Sequence, residues 1–129
     1  MLMKPILTTL LFAMATTAGA ALKIGEPAPG FTGIDTSGKS HALSDFRGKP
    51  VILEWTNHDC PYVLKHYNSG NMQQQQQAAT GQGAVWLSII SSAPGKQGHV
   101  TPAQADALTA ERNAAPSAVI RASATASAM

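Results

Sequence analysis

Three apolar runs stand out from an otherwise mixed chain: Ile6–Met14 near the start, Val51–Trp55 in the middle and Val85–Ile90 beyond it. The middle run, Pro50-Val51-Ile52-Leu53-Glu54-Trp55-Thr56, is nearly continuous and carries β-branched residues, the pattern of a central strand covered on both faces. Ala84-Val85-Trp86-Leu87-Ser88-Ile89-Ile90 reads as a second buried strand, and Trp55 and Trp86 read as core residues on these strands. Between them the apolar spacing lengthens. Proline is favoured at the first helical position, where its missing N–H would be unpaired anyway, so Pro61 predicts a helix starting there or at Cys60. It runs through Tyr62, Val63, Leu64, Tyr67 and Met72 toward Ala79, with a break or kink at Ser69-Gly70-Asn71. Strand, helix and strand in that order make a crossover, and hence a parallel pair.

The flanks extend this pattern. Leu22–Pro29 is an extended lead-in punctuated by proline, and residues 31–35 and 40–43 enclose a polar turn, a hairpin signature. Residues 44–49 form a tight connection ending in glycine, about one helical turn long. Gln73 to Gln77 reads as a solvated helix face, since glutamine is a good helix former and the run is short. After a loop over 91–98, Thr101 caps a helix with Pro102 at its first position, reaching about Asn113. Residues 116–120 open a third strand, and 121–129 is a run of small residues without apolar period, expected to fray. Alternation of strands and helices places the chain in the α/β class, with one domain over residues 21–120.

The first run has a different meaning. Lys4 supplies a positive start, the apolar segment is too short to span a bilayer, and Ala18-Gly19-Ala20 offers small residues for cleavage before Ala21. Residues 1–20 are therefore expected to be a signal peptide and the mature protein to be periplasmic or secreted, with no stable membrane span after cleavage.

Composition narrows the chemistry. At 129 residues the chain holds one core, and a formal charge of +2 is too balanced for an electrostatic footprint on nucleic acid. Its one cysteine excludes an intramolecular disulfide, a cysteine zinc cage and an iron–sulfur cluster. An unpaired thiol is unusual in an oxidising compartment, so it is either inert or central.

Cys60 falls where the middle strand passes into the helix. Unpaired backbone N–H groups and the positive end of the helix dipole favour thiolate there, the nucleophile of disulfide exchange and peroxide reduction. His58 would add to this if protonated, and Asp59 would oppose it. Glu54, a carboxylate inside an apolar strand, is a candidate proton relay beneath the thiol; the alternatives are a solvated strand end or an ion pair with lysine.

Ile24-Gly25-Glu26-Pro27-Ala28-Pro29, Ser44-Asp45-Phe46-Arg47-Gly48-Lys49-Pro50, Val51-Ile52-Leu53-Glu54-Trp55-Thr56 and Cys60-Pro61-Tyr62 together resemble the redoxin branch of the thioredoxin-like proteins. That branch holds the AhpC/TSA peroxiredoxin-like proteins and the exported TlpA/ResA-like thioredoxins. The resemblance implies a thioredoxin-like fold, covers residues 22–95 well and thins toward 120. It also implies a buried acid at the position of Glu54. The departures are specific. Val63 stands where thioredoxins carry their second cysteine, and Asn57 and Leu53 stand where peroxiredoxins carry threonine and proline. Thr56 lies one residue too early for that threonine, though its hydroxyl is a candidate near a bound peroxide. No counterpart of the family's cis-proline strand is evident, so the fold is expected to be incomplete at the C-terminus. A copper site at His58, Cys60 and His66 suits the ligand types but not the spacing.

The reading is an exported thiol oxidoreductase with Cys60 as nucleophile, Glu54, His58 and Thr56 as its supporting residues, and no cofactor or metal. Its partners would be a peroxide or protein disulfide and an external thiol reductant or reductase. The alternative is a thioredoxin-shaped binding module without catalysis, or an inactive fragment.

Overall fold

A computed structural model describes residues 22–121; the expected signal peptide and residues 122–129 lie outside the described residues. The chain opens on a hairpin of β1 (Thr32–Asp35) and β2 (Ser40–Ala42), in the register Thr32↔Ala42, Gly33↔His41 and Ile34↔Ser40. Asp35 closes the turn. Its Oδ1 accepts from the Ser37 N–H at 2.9 Å, the Ser37 hydroxyl at 2.6 Å and the Lys39 N–H at 2.9 Å, and its Oδ2 lies 2.7 Å from His41 Nε2. The bonds from Ser37 and His41 hold this carboxyl well below the usual carboxylate range. A single 3-10 turn (Leu43–Phe46) then leads into β3 (Val51–Trp55).

The predicted helix is two: α1 (Pro61–Asn68) and α2 (Asn71–Gly81), broken at Gly70, whose φ of 75° is the left-handed conformation that glycine tolerates best. β4 (Val85–Ile90) follows and pairs with β3 in parallel, Val51↔Val85 through Trp55↔Ile89. α3 (Pro102–Glu111) begins with a reciprocal cap: Thr101 Oγ1 accepts from the Gln104 N–H, and Gln104 Oε1 accepts from the Thr101 N–H. β5 (Ala118–Arg121) ends the described chain, one residue beyond the strand expected from the sequence.

The five strands lie in the order β2-β1-β5-β4-β3. β5 is the middle strand, parallel to β4 and antiparallel to β1, which packs so closely that a Cβ on Gly33 would collide with the Ile120 side chain. β3 is at the edge. It does not have the central position that its apolar run suggests: its residues are half-buried, and Trp55 is 63% exposed rather than part of the core. Lateral neighbours are set by pairing with distant segments, which a local pattern does not encode.

Alternation along β4 divides the interior. Val85, Leu87 and Ile89 join Ile120 in one apolar cluster, with Phe31, Phe46, Val51 and Leu53 against it. On the other face Val119 and Ile90 pack with Val100, Ala105 and Leu108, and so dock α3. That helix-covered face also carries Trp86 and Ser88, beside Glu54 of β3, and there the interior turns polar.

Candidate functional site at the β3–α1 junction

Cys60 is the N-cap of α1, in extended conformation (φ −73°, ψ 124°) and half-buried. The turn that delivers it is built locally. The Cys60 N–H donates to the Asn57 carbonyl at 3.0 Å, and the Asp59 N–H to Asn57 Oδ1 at 3.0 Å. Buried Gly98 lets a distant loop close on the Asn57 amide, against which any Cβ there would collide. The Cys60 carbonyl accepts the first helical bond, from the Leu64 N–H at 2.9 Å, and Pro61 has no N–H to offer. Cys60 makes no side-chain cap bond and no acid lies in the first turn, so among the described residues the helix starts without a side-chain cap.

Glu54 is the centre of a buried polar network. Its Oε1 accepts from the Tyr67 hydroxyl at 2.8 Å. Its Oε2 accepts from Trp86 Nε1 at 2.8 Å, Ser88 Oγ at 3.0 Å and Gln76 Nε2 at 3.3 Å. It is thus neither at a solvated strand end nor paired with lysine, and among the described residues no hydrogen bond joins it to Cys60. Burial, then the bond and charge of Glu54, push the Tyr67 hydroxyl well above the usual tyrosine range, so Tyr67 stays a proton donor to the carboxylate.

The network reaches outward through glutamine. Gln76 is fully buried; its Nε2 also donates to the Tyr67 hydroxyl at 3.2 Å, and its Oε1 accepts the Ala115 N–H at 2.8 Å. Gln73 Nε2 donates to the carbonyls of Tyr67, at 3.0 Å, and Arg112, at 2.7 Å. Two members of the glutamine run therefore face inward, contrary to a wholly solvated face, while Gln74, Gln75 and Gln77 are exposed.

The remaining predicted residues divide. His58 follows β3 toward Cys60, but its ring Nε2 lies 3.3 Å from Asp59 Oδ1, and its carbonyl accepts from Arg112 Nη2 at 3.1 Å. Thr56 turns inward: its Oγ1 is buried with no hydrogen-bond partner among the described residues, beside a water-sized cavity of about 30 Å³ shared with His58, Tyr67, Ser88 and Arg112. His66 is exposed toward the far end of α1, its Nδ1 2.9 Å from Asn71 Nδ2. Among the described residues no group of three His, Cys, Asp or Glu is placed to hold a metal. Arg112, stacked 5.0 Å from the Tyr67 ring centre, carried no sequence signal at all. Tyr67 shared the apolar stripe of its helix, and Gln76 was hidden among identical neighbours.

A strand running into a helix that starts with Cys-Pro, a parallel partner strand and an N-terminal hairpin define a thioredoxin-like fold, and solved structures share it. The thioredoxin domain of a thiol-disulfide oxidoreductase from Bacteroides vulgatus matches with a TM-score of 0.59 at 20% identity, over 80% of this chain and 66% of its own. A hypothetical protein from Sinorhizobium meliloti matches with a TM-score of 0.69 at 17% identity, over 83% of this chain and 57% of its own. A secreted disulfide oxidoreductase from Mycobacterium tuberculosis matches with a TM-score of 0.52 at 19% identity, over 70% of this chain and 59% of its own. The chain spans less than two thirds of the length of each, and at these identities the likeness is one of fold. No curated protein matches it in sequence. The profile of the AhpC/TSA family matches residues 24–110, and the chain belongs to that family.

Proposed function

We propose that the protein is an exported thiol oxidoreductase in which Cys60 forms a mixed disulfide with its substrate and an external thiol releases it. The observation that carries this reading is the position of Cys60, a free thiol half-buried at the N-cap of α1, where the strand β3 hands over to the helix. The thiolate attacks one sulfur of a substrate disulfide, forming the Cys60–S–S–R bond and expelling R–S⁻. An external thiolate then attacks the substrate sulfur, returning Cys60 as thiolate and leaving with R as a new disulfide. Peroxide is the smaller electrophile for the same sulfur. Attack on it gives a Cys60 sulfenic acid and hydroxide; an external thiol then condenses with the sulfenic acid, releasing water, and a second one frees Cys60.

The neighbours take supporting parts. His58 is proposed as a proton donor to the leaving thiolate, and Thr56, whose hydroxyl is buried beside the small interior cavity, as a support behind the turn that carries Cys60. Glu54 is proposed as a positioning residue that holds Tyr67, and through it α1, against β3 and β4. Export rests on the N-terminal segment; among the described residues no helix is long and apolar enough to cross a membrane. Single-turnover mixing with a neutral aromatic disulfide and with hydrogen peroxide, read by intact mass, tests the proposal. One adduct on the wild-type chain and none on Cys60→Ser is expected. A native chain inert to both reagents would leave the non-catalytic binding module as the better reading.

A further inference from the structure

The sheet has two unlike edges. One is β2, three residues long, with His41 tied back to Asp35 and a 3-10 turn following at once. The other is β3, five residues long, apolar at Val51, Ile52, Leu53 and Trp55, and aligned without a bulge along β4. β3 spends only alternate residues on β4. The Pro50 carbonyl accepts from the Val85 N–H at 2.9 Å, and the Thr56 N–H donates to the Ile89 carbonyl at 3.0 Å. In a parallel pair this alternation continues between them, so the N–H and C=O groups of Val51, Leu53 and Trp55 point away from the sheet. Among the described residues no strand lies beyond them.

Edge strands are ordinarily guarded by a lysine, a proline or a bulge, because a row of free backbone groups templates further pairing. β3 has none of these between Val51 and Trp55. Its one charge, Glu54, is turned into the helix-covered face and held there by its donors, so it does not oppose an approaching strand. Trp55 is exposed on the same face as Val51 and Leu53, which lie against the apolar cluster around Leu87. The free charges sit at the two ends and differ in sign. Exposed Arg47 and Lys49 precede β3, and exposed Asp59 follows it. A strand with cations before it and an anion after it is complementary to a second copy of itself running antiparallel, and repels one running parallel.

We propose that β3 is the docking surface for a second copy of this chain, paired antiparallel about a two-fold axis at Leu53. Leu53 of one copy then faces Leu53 of the other, and Trp55 of each faces Val51 of its partner, an aromatic–β-branched pair. Arg47 and Lys49 of each copy lie toward Asp59 of the other. The short β2 edge does not match β3, so the contact is used up on the two-fold and association stops at the dimer. Five residues a side make a small interface, and the dimer is accordingly weak. The paired segment ends before the turn that carries Cys60, so this interface stands apart from the thiol chemistry proposed above.

Sedimentation equilibrium of the protein under reductant, which removes any dimer linked through Cys60, is expected to give a monomer at about 1 µM and a dimer at about 500 µM, with nothing larger. Hydrogen exchange at the higher concentration is expected to protect the N–H groups of Val51, Leu53 and Trp55, and dilution to release them. Trp55→Lys places a guarding charge at an exposed position and is expected to weaken the dimer by about tenfold. Lys49→Glu, outside the strand, keeps the test valid should Trp55→Lys disturb β3. It is expected to weaken association severalfold, and adding Asp59→Lys to the same chain is expected to restore it. A monomer at about 500 µM, a mass that climbs past the dimer, or a dimer indifferent to both single variants would overturn the proposal. So would a chain that stays monomeric and protects these amides only when mixed with an extended peptide, which would give the edge to such a peptide instead.

Discussion

Glu54 shows how one residue can be conspicuous in a sequence while its partners stay hidden. A carboxylate in an apolar strand signals a special environment, and the environment is special, but its partners come from 13 to 34 residues away. Four donors converge on it, one from α1, one from α2 and two from β4, and no local spacing announces that. Replacing Glu54 by glutamine puts an NH₂ group where a donor already points. The change is expected to lower stability by about 2–3 kcal/mol, measured by urea unfolding, with Cys60 reactivity reduced in parallel. Tyr67 provides the pH test. Its folded hydroxyl titrates above the unfolded value of about 10, so the unfolded chain sheds this proton first and stability falls as pH rises beyond that point. Tyr67→Phe is expected to be less stable at neutral pH but to lose less stability between about pH 9 and pH 11, a difference that thermal melts would read.

At the scale of elements, most of the fold was legible. The hairpin, the parallel β3–β4 pair, the helix start at Pro61, the break near Gly70 and the Thr101–Pro102 start of α3 all rest on local chemistry: turn residues, a missing N–H, a left-handed glycine, a side-chain cap. The order of strands was not legible. Nothing in residues 118–121 says that they form the middle of the sheet, and nothing in 51–55 says that they form its edge. The two tryptophans report this difference directly. Trp86 is 5% exposed and bonded to Glu54, whereas Trp55 is 63% exposed on the edge strand. Single-tryptophan variants are expected to give a blue-shifted, acrylamide-resistant emission for Trp86 and a red-shifted, quenchable one for Trp55. Equal protection of both would place β3 inside the sheet.

For the molecule as a whole, the sheet holds two kinds of interior with separate tasks. The apolar cluster around Leu87 supplies burial, and the polar network around Glu54 fixes α1, α2 and the end of α3 relative to β3. Cys60 stands at the point where that fixing matters, on a turn gripped by Asn57 and Gly98, at the N-cap of its helix. Sequence alone located this cysteine at a strand-to-helix junction, because proline and a β-branched run are local signals. It could not reveal Arg112, which arrives from 52 positions along the chain to bond the His58 carbonyl. The most direct measurement is the second-order rate of Cys60 alkylation by iodoacetamide in the native protein, set against the same chain unfolded in urea at the same pH. The native thiol is expected to react several times faster; an equal or slower native rate would contradict a nucleophile activated by the fold.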